Sequence, residues 1–264
     1  MKKQLHIISE YFPYGNGEQF FENEVSELSD KFDIITVYPL GKVSDNKREL
    51  PKNVNVSLVL ANRELQLTNR LVLKHLTTIL AVFLTELIQS KRRKYIISHF
   101  KMLLGTIVLA GELGHIFKEQ INSNYTHYFH SFWMNKGALM LAILKKKRII
   151  SAFHFRVNGY EIFDERRDGN YMPYRFFNYK MVNKIHVPSK EALKYLEAIN
   201  YYPEKLTLSY HGVYDNGINP MPDNKPYLIV SCASLIRLKR VDKIIDALKN
   251  VEFEVEWIHY GGGP

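Results

Sequence analysis

Cysteine occurs once in the 264 residues, as Cys232. A single thiol permits no disulfide within the chain, and this usage fits a reducing compartment. The thiol lies in an apolar run and reads as a small buried residue. Long uncharged hydrophobic runs are also missing. The nearest to one, Leu71–Ser90, is interrupted by Lys74 and Glu86 and falls short of a membrane span. The opening MKKQLHIISEYF has too short an apolar core before Glu10 for a secretory signal. No G-x-G-x-x-G follows the first predicted strand, which argues against a dinucleotide-dependent enzyme. The sequence shows no low-complexity segment and no repeat at solenoid spacing.

What is present is ordinary in bulk and specific in order. With 46% hydrophobic and 24% charged residues, the composition is that of a soluble globular protein. The length allows one full domain of about 150–200 residues and part of another. Basic residues outnumber acidic ones, 36 to 27, for a net charge of +9. Such a surface suits nucleic acid, anionic lipid or phosphate-bearing substrates, and charge alone does not choose among them.

Strand patterns fall at Gln4–Ser9, Phe32–Tyr38, Val54–Leu60, Tyr125–His130, Ile149–Phe153, Lys184–Pro188 and Leu206–Tyr210. Helical periodicity separates them. One helix starts near Glu18, and another carries Leu76, Ile79, Leu80, Phe83, Leu84, Leu87 and Ile88. Others cover Phe100–Lys118, Asn135–Leu144 and Tyr171–Val182, and one is capped by Ser189. This alternation predicts an α/β domain over 1–214 with a mostly parallel sheet covered on both faces. The Pro-, Asn- and Gly-rich segment 215–226 reads as a linker. Beyond it, 227–264 reads as strand, basic loop, helix, strand and glycine turn, the opening βαβ unit of a second, incomplete domain.

Ligands of open α/β sheets sit at the carboxyl ends of strands, so the loops there are the places to look. The first, Gly15-Asn16-Gly17-Glu18, could bring backbone N–H groups to an anion, although a plain turn accounts for it equally well. The second, Arg156–Arg167, gathers Arg156, Asn158, Gly159, Tyr160 and Glu161 directly after a strand, while Asp164 and Glu165 read as solvated. His154 reads as a core or edge residue. The third runs from Ser234 to Arg240. Its Arg237 and Lys239 precede a helix start, where cations are unfavourable unless an anion is bound.

At these residues the sequence resembles a family. SCASLIRLKRVDKIIDALKN is similar to the donor-site strand, loop and helix of retaining GT-B glycosyltransferases of the GT4 group. WIHYGGGP resembles that family's G-x-G-P turn, and FRVNGYEIFDERR its R-x-H-G-x-D segment of bacterial polysaccharide-type members. SEYFPYGNGEQFFENEV resembles its first glycine loop, and VNKIHVPSKEALKYL the stretch after the active-site loop. The resemblance implies two Rossmann-like domains, the N-terminal one for the acceptor and the C-terminal one for the nucleotide-sugar. It implies transfer with retention and no metal or other cofactor. Lys239 would meet the donor diphosphate, helped by Arg237, with Gly15, Gly17, Ser234, Gly261 and Gly263 also on the donor. Glu18, His130, Arg156, Asn158 and Gly159 would serve the acceptor, and Asn158, Glu161 and Lys239 catalysis. The partners implied are a nucleotide-sugar and a glycan or lipid-linked acceptor in surface polysaccharide synthesis, in the cytoplasm or on the inner face of the membrane. Nucleic acid is not expected, since the aromatics at Tyr125–Trp133 follow strand periodicity.

The sequence departs from the family in four places. The active-site histidine falls on Asn158, which hydrogen-bonds but takes no proton. The aspartate falls on Glu161. The arginine before the donor lysine falls on Ser234. The paired glutamates E-x7-E would lie past Pro264, so the chain reads as a truncated form, inactive alone. A second reading follows: a degenerate, non-catalytic domain that binds glycan or lipid. Residues 71–94, ending in Lys91-Arg92-Arg93-Lys94, read as a core-packed helix with a solvated basic end in preference to one lying on anionic lipid.

Overall fold

The strand β1 (Lys2–Ser9) holds five consecutive buried residues, Leu5 to Ser9, the mark of a strand covered on both faces. In the computed structural model it is the third of seven strands. The structure describes residues 1–15, 17–63, 69–121, 124–218 and 226–263. Asn16, the centre of the expected linker at 219–225, and Pro264 lie outside the described residues. The chain divides into two compact units, Met1–Tyr214 and Asp215–Pro264.

In the first unit, α1 (Gln19–Ser29), β2 (Ile34–Pro39) and β3 (Val54–Val56) follow β1. Next come α2 (Asn69–Lys74), α3 (Leu76–Gln89), α4 (Arg93–Ser98) and α5 (Phe100–Gln120). Then come β4 (Tyr125–Ser131), α6 (Lys136–Lys146), β5 (His154–Arg156), α7 (Gly159–Ile162), α8 (Arg175–Met181), β6 (Lys184–Val187), α9 (Lys190–Ile199) and β7 (Leu206–Leu208). The sheet order is β3-β2-β1-β4-β5-β6-β7, and every pairing is parallel. This is a Rossmann-like α/β sheet whose strand order reverses between β1 and β4.

Two apolar clusters cover its faces. The larger includes Ile8, Phe117, Leu139, Phe155 and Phe177 beneath α3, α5, α6 and α8. The smaller joins Leu5, Ile7, Ile35 and Val37 to Phe21 and Val25 of α1. Within α6 all eight residues from Gly137 to Leu144 are buried, as expected of a helix enclosed between layers. The helix α5 is long and apolar enough to cross a membrane, yet Leu103, Ile107, Leu113 and Phe117 along it are buried inside the unit.

Several predicted boundaries move. The run Ile149–Phe153 is not a strand. Arg148 adopts a left-handed conformation (φ 58°), and the Ile149 N–H returns to Leu144 O at 3.0 Å, closing α6. Ile150 and Phe153 fill the core, and the ladder begins only at His154. The third strand stops at Val56, and Leu58–Leu60 forms a 3-10 turn. Tyr171–Val182 is helical only from Arg175. In contrast, Ser189 caps α9 as expected, accepting from the Ala192 N–H at 3.1 Å.

The second unit contains β8 (Tyr227–Cys232), α10 (Asp242–Leu248) and β9 (Val255–Tyr260), with β8 and β9 paired in parallel. Cys232 is exposed, not buried, because β9 is its only partner strand among the described residues and five of the six β8 residues, Cys232 among them, are exposed.

Candidate active site at the carboxyl ends of the strands

The carboxyl ends of β1, β4 and β5 carry Glu10–Glu18, Phe132–Asn135 and Val157–Tyr171. The first two flank the point where strand order reverses, the expected ligand crevice of such a sheet. A cavity of about 510 Å³ opens there, lined by Glu10, Trp133, Lys136, Tyr160, Glu161 and Arg167 among others.

Glu18 organises the first loop. Its carboxylate accepts the N–H groups of Glu10 (2.9 Å), Tyr11 (2.7 Å) and Phe12 (2.5 Å), and Nε1–H of Trp133 (2.6 Å). Three converging backbone donors form an anion nest, and the protein fills it with its own carboxylate. Arg48 secures the rest of the loop. Its guanidinium donates to the carbonyls of Gly17 (2.6 Å), Gly15 (3.1 Å) and Glu18 (3.4 Å), and pairs with Glu22 at 3.4 Å. Gly15 sits at φ +67°, where a side chain is strained. Its N–H donates to Asn46 O at 2.9 Å.

On the β4 side, Asn135 caps α6 by accepting from the Gly137 N–H at 2.9 Å, and donates Nδ2–H to Glu10 at 2.8 Å. A Cβ on Gly137 would meet Ser131 Oγ at 2.7 Å and Ile8 Cγ2 at 2.8 Å, so glycine lets α6 approach the sheet. Burial raises the Glu10 pKa, a shift that neighbouring Lys136 opposes and Glu18 reinforces.

On the β5 side, Glu161 is buried and its carboxylate accepts the Asn158 N–H at 2.9 Å. Burial pushes its pKa up to about 7, against the opposing pull of that hydrogen bond and of Arg167 and Arg175. Arg167 donates Nε–H to Tyr160 O at 2.7 Å and lies 3.9 Å from the centre of the Tyr160 ring. Arg175 braces the loop from beneath, donating to Glu161 O at 2.7 Å and pairing with Asp164 at 2.6 Å. Asn158 Oδ1 lies 2.9 Å from His211 Nε2. Burial and nearby Arg156 lower the His211 pKa, so the neutral ring donates from Nε2. The Asn158 Nδ2 group is buried without a partner among the described residues.

The structure separates residues that the sequence grouped. Gly17, Glu18 and Glu161 line the cavity, with Asn158 and Gly159 at the start of the short helix α7 just before Tyr160. His130 and Arg156 do not line it. His130 pairs with His154 across the ladder, and Arg156 with His186, which places all four on the sheet face that α1 covers. There Arg156 is buried. It pairs with Glu24 at 3.1 Å and donates to Ser209 O at 2.8 Å, tying β5 to α1 and to the segment after β7. Burial, with His186, Arg156 and His154 nearby, holds the His130 pKa well below its usual value. Neither residue reaches the cavity. The expectation for Glu18 also changes, since its carboxylate is engaged by the backbone.

In the second unit the expected donor residues follow the carboxyl ends of β8 and β9. Leu235 N–H donates to Gly262 O at 2.7 Å and Ala233 N–H to Tyr260 O at 3.0 Å, which joins the Ser234 loop to the glycine turn. A Cβ on Gly261, at φ +147°, would fall 1.9 Å from Ala233 O. Arg237 and Lys239 lie in an exposed 3-10 turn, and no ion pair joins them to another described residue. The cation next to the helix is Arg240, paired with Asp242 at 3.1 Å in the first turn of α10. The protein thus supplies that counter-charge itself, and the helix-start argument carries no weight for Lys239.

Arg48, Lys136, Arg175 and His211 carry no local signal in the sequence, and Trp133 stands out there only as an aromatic at a strand end. Arg48 lies in a polar loop with no local pattern. Asn135 and Lys136 read in the sequence only as the start of the helix Asn135–Leu144.

No protein-family model and no curated protein matches the sequence. Among solved structures, the chain is similar to the lipopolysaccharide outer core galactosyltransferase WaaB in its apo form (12% identity, TM-score 0.57, covering 98% of this chain and 61% of that one). It is similar also to HepE of Anabaena in complex with UDP (12% identity, TM-score 0.59, covering 99% and 61%). This chain therefore spans about three fifths of the length of either. These likenesses show the fold: an α/β, Rossmann-like chain of the GT-B type.

Proposed function

We propose that the chain belongs to a glycosyltransferase that moves a sugar from a nucleoside-diphosphate sugar to an acceptor hydroxyl with retention. The observation that carries this reading is the cavity at the β1/β4 reversal, closed by Glu161 with its pKa near 7. A carboxyl poised there exchanges a proton with a hydroxyl near neutral pH. Tyr160 and Trp133 offer aromatic faces for a sugar ring, and Lys136, Arg167 and Asn135 offer donors for its hydroxyls. In the second unit, Lys239 and Arg237 supply charge for the departing diphosphate, and the N–H groups of the glycine turn approach the nucleotide. The UDP carried by HepE supports a uridine nucleotide as the first to try.

The test is calorimetry of the full-length protein with UDP-, GDP- and ADP-sugars, beside a Lys239→Ala variant. The expected result is binding of one donor, weakened at least tenfold by the variant, about 1.4 kcal/mol. Equal affinity in both proteins refutes the diphosphate role. Asn158 motivates a second reading, a binding domain without turnover, because it replaces the family's histidine. That reading predicts glycan or lipid binding with no sugar transfer, and detected transfer excludes it.

A further inference from the structure

The helix α3 buries Thr78, Ile79, Val82 and Glu86. Its other side is also apolar and is exposed: Leu76, Leu80, Leu84 (51%) and Ile88 (78%). Leu73 (71%) extends the patch before the helix, and Ile97 on α4 extends it after. The core-packed expectation therefore holds for one face only. Scattered exposed leucines need no explanation, but six large apolar side chains within Leu73–Ile97 form a patch. Exposed Lys91, Arg92, Arg93 and Lys94 sit within that patch, between Ile88 and Ile97, and exposed Lys74 stands at its other end.

We infer that this face docks on an anionic lipid bilayer. Charge decides the occupant: the patch contains five cations and no exposed acid between Leu73 and Ile97, in a chain of net charge +9. Anionic headgroups supply the counter-charge, and acyl chains take the leucines. Helical phase argues against a second copy of the chain. Steps of four residues from Leu76 to Ile88 wind about 120° around the helix, which leaves the narrow seam of a coiled coil but suits a helix half-sunk in an interface. The patch is joined to the candidate site. The ring of Tyr95 on α4 lies against Gly169, where a Cβ would fall 1.9 Å away, and Met172 lines both the cavity and a cleft beneath Lys91 and Arg92. Docking at α3 and α4 would bring an amphiphilic acceptor to that side of the cavity. The inference does not depend on sugar transfer.

Vesicle flotation tests it, with vesicles of phosphatidylcholine alone and of phosphatidylcholine and phosphatidylglycerol in equal parts. The intact chain should float with the anionic vesicles and stay down with the neutral ones. Lys91→Gln with Lys94→Gln should lower anionic binding roughly thirty-fold, about fivefold per charge. Leu84→Ser with Ile88→Ser should abolish the binding that survives in high salt. All four side chains are exposed, and an unchanged circular dichroism spectrum and melting temperature verify the fold. Flotation unaffected by both pairs overturns the inference, as does failure of the intact chain to float. A concentration-dependent dimer abolished by Leu84→Ser overturns it in favour of a second copy.

Discussion

Replacing Glu161 with glutamine removes a buried proton-binding group while keeping its shape and an oxygen for the Asn158 N–H. Its folded pKa is raised from 4.5 to about 7, chiefly by burial. In the unfolded chain the carboxyl ionises around the lower value, so the folded state holds a proton that the unfolded state has lost. Stability from that proton is complete below about pH 4.5 and declines as the pH rises towards 7. The loss is about 1.4 kcal/mol per pH unit, roughly 3 kcal/mol in all once the group is ionised. Glutamine carries no such slope, so the variant should overtake the natural protein above neutrality. Glu86, buried in α3, accepts from the Phe177 N–H at 2.9 Å and from the Tyr171 hydroxyl at 3.2 Å, and its pKa is also raised to about 7. Glu86 and Glu10 contribute slopes of the same sign, whereas His6, His130 and His186, whose pKa values burial lowers, contribute slopes of the opposite sign, so the effect of Glu161→Gln is read as the difference between the variant and parent curves. Urea unfolding across the acid-to-neutral range provides the assay. Trp133 fluorescence in a Trp257→Phe background restricts the signal to the first unit. Parallel stability curves for variant and parent would refute the burial of an ionisable Glu161.

Glu18→Gln should cost about 2–4 kcal/mol, because it turns charge-assisted hydrogen bonds from Glu10, Tyr11, Phe12 and Trp133 into neutral ones; faster hydrogen exchange at those amides checks it, and unchanged exchange counts against the nest. Gly137→Ala should destabilise by about 1–3 kcal/mol despite alanine's higher helix propensity, since the new methyl meets Ser131 and Ile8. A gain in urea midpoint would show that α6 has room to shift.

The sheet was legible because its signals are local. β1 announces itself by its apolar run, β4 by aromatics at strand periodicity, and α9 by a serine cap above an apolar face. β5 was not legible. Ile149–Phe153 is as apolar as any strand here, but it serves the core while the ladder passes to His154–Arg156. The same limit governs the site. Arg156 at a strand end resembles a ligand-binding residue until Glu24, distant in sequence, proves to be its partner. Nothing local reveals which charges will be answered inside the protein. Lys239, Arg237 and the glycine turn fall together at one end of β8 and β9 because all lie within one short βαβ unit. The alignment of Lys136, Glu161 and Arg167 around one cavity required the whole sheet.

Glu18 bears most on how the work divides between the units. The resemblance gives Gly15 and Gly17 to the donor diphosphate. The structure shows that the N–H groups of Glu10, Tyr11 and Phe12 are already bound to the Glu18 carboxylate, and that the Gly15 N–H is bound to Asn46 O. The carbonyls of Gly15 and Gly17 are held by Arg48. A second anion at this loop would face the fixed charge of Glu18 at close range and find the best donors taken, an arrangement repelled by Coulomb interaction and short of compensating hydrogen bonds. A neutral hydroxyl meets neither obstacle. The cavity balances Glu10, Glu18 and Glu161 against Lys136 and Arg167, a mixture suited to sugar hydroxyls and poor for diphosphate. Under the proposed function, the loop's engaged donors favour a neutral acceptor hydroxyl over a diphosphate in this cavity. On that proposal, the charge for a leaving diphosphate would come from Lys239 and Arg237 in the second unit, which no ion pair joins to another described residue.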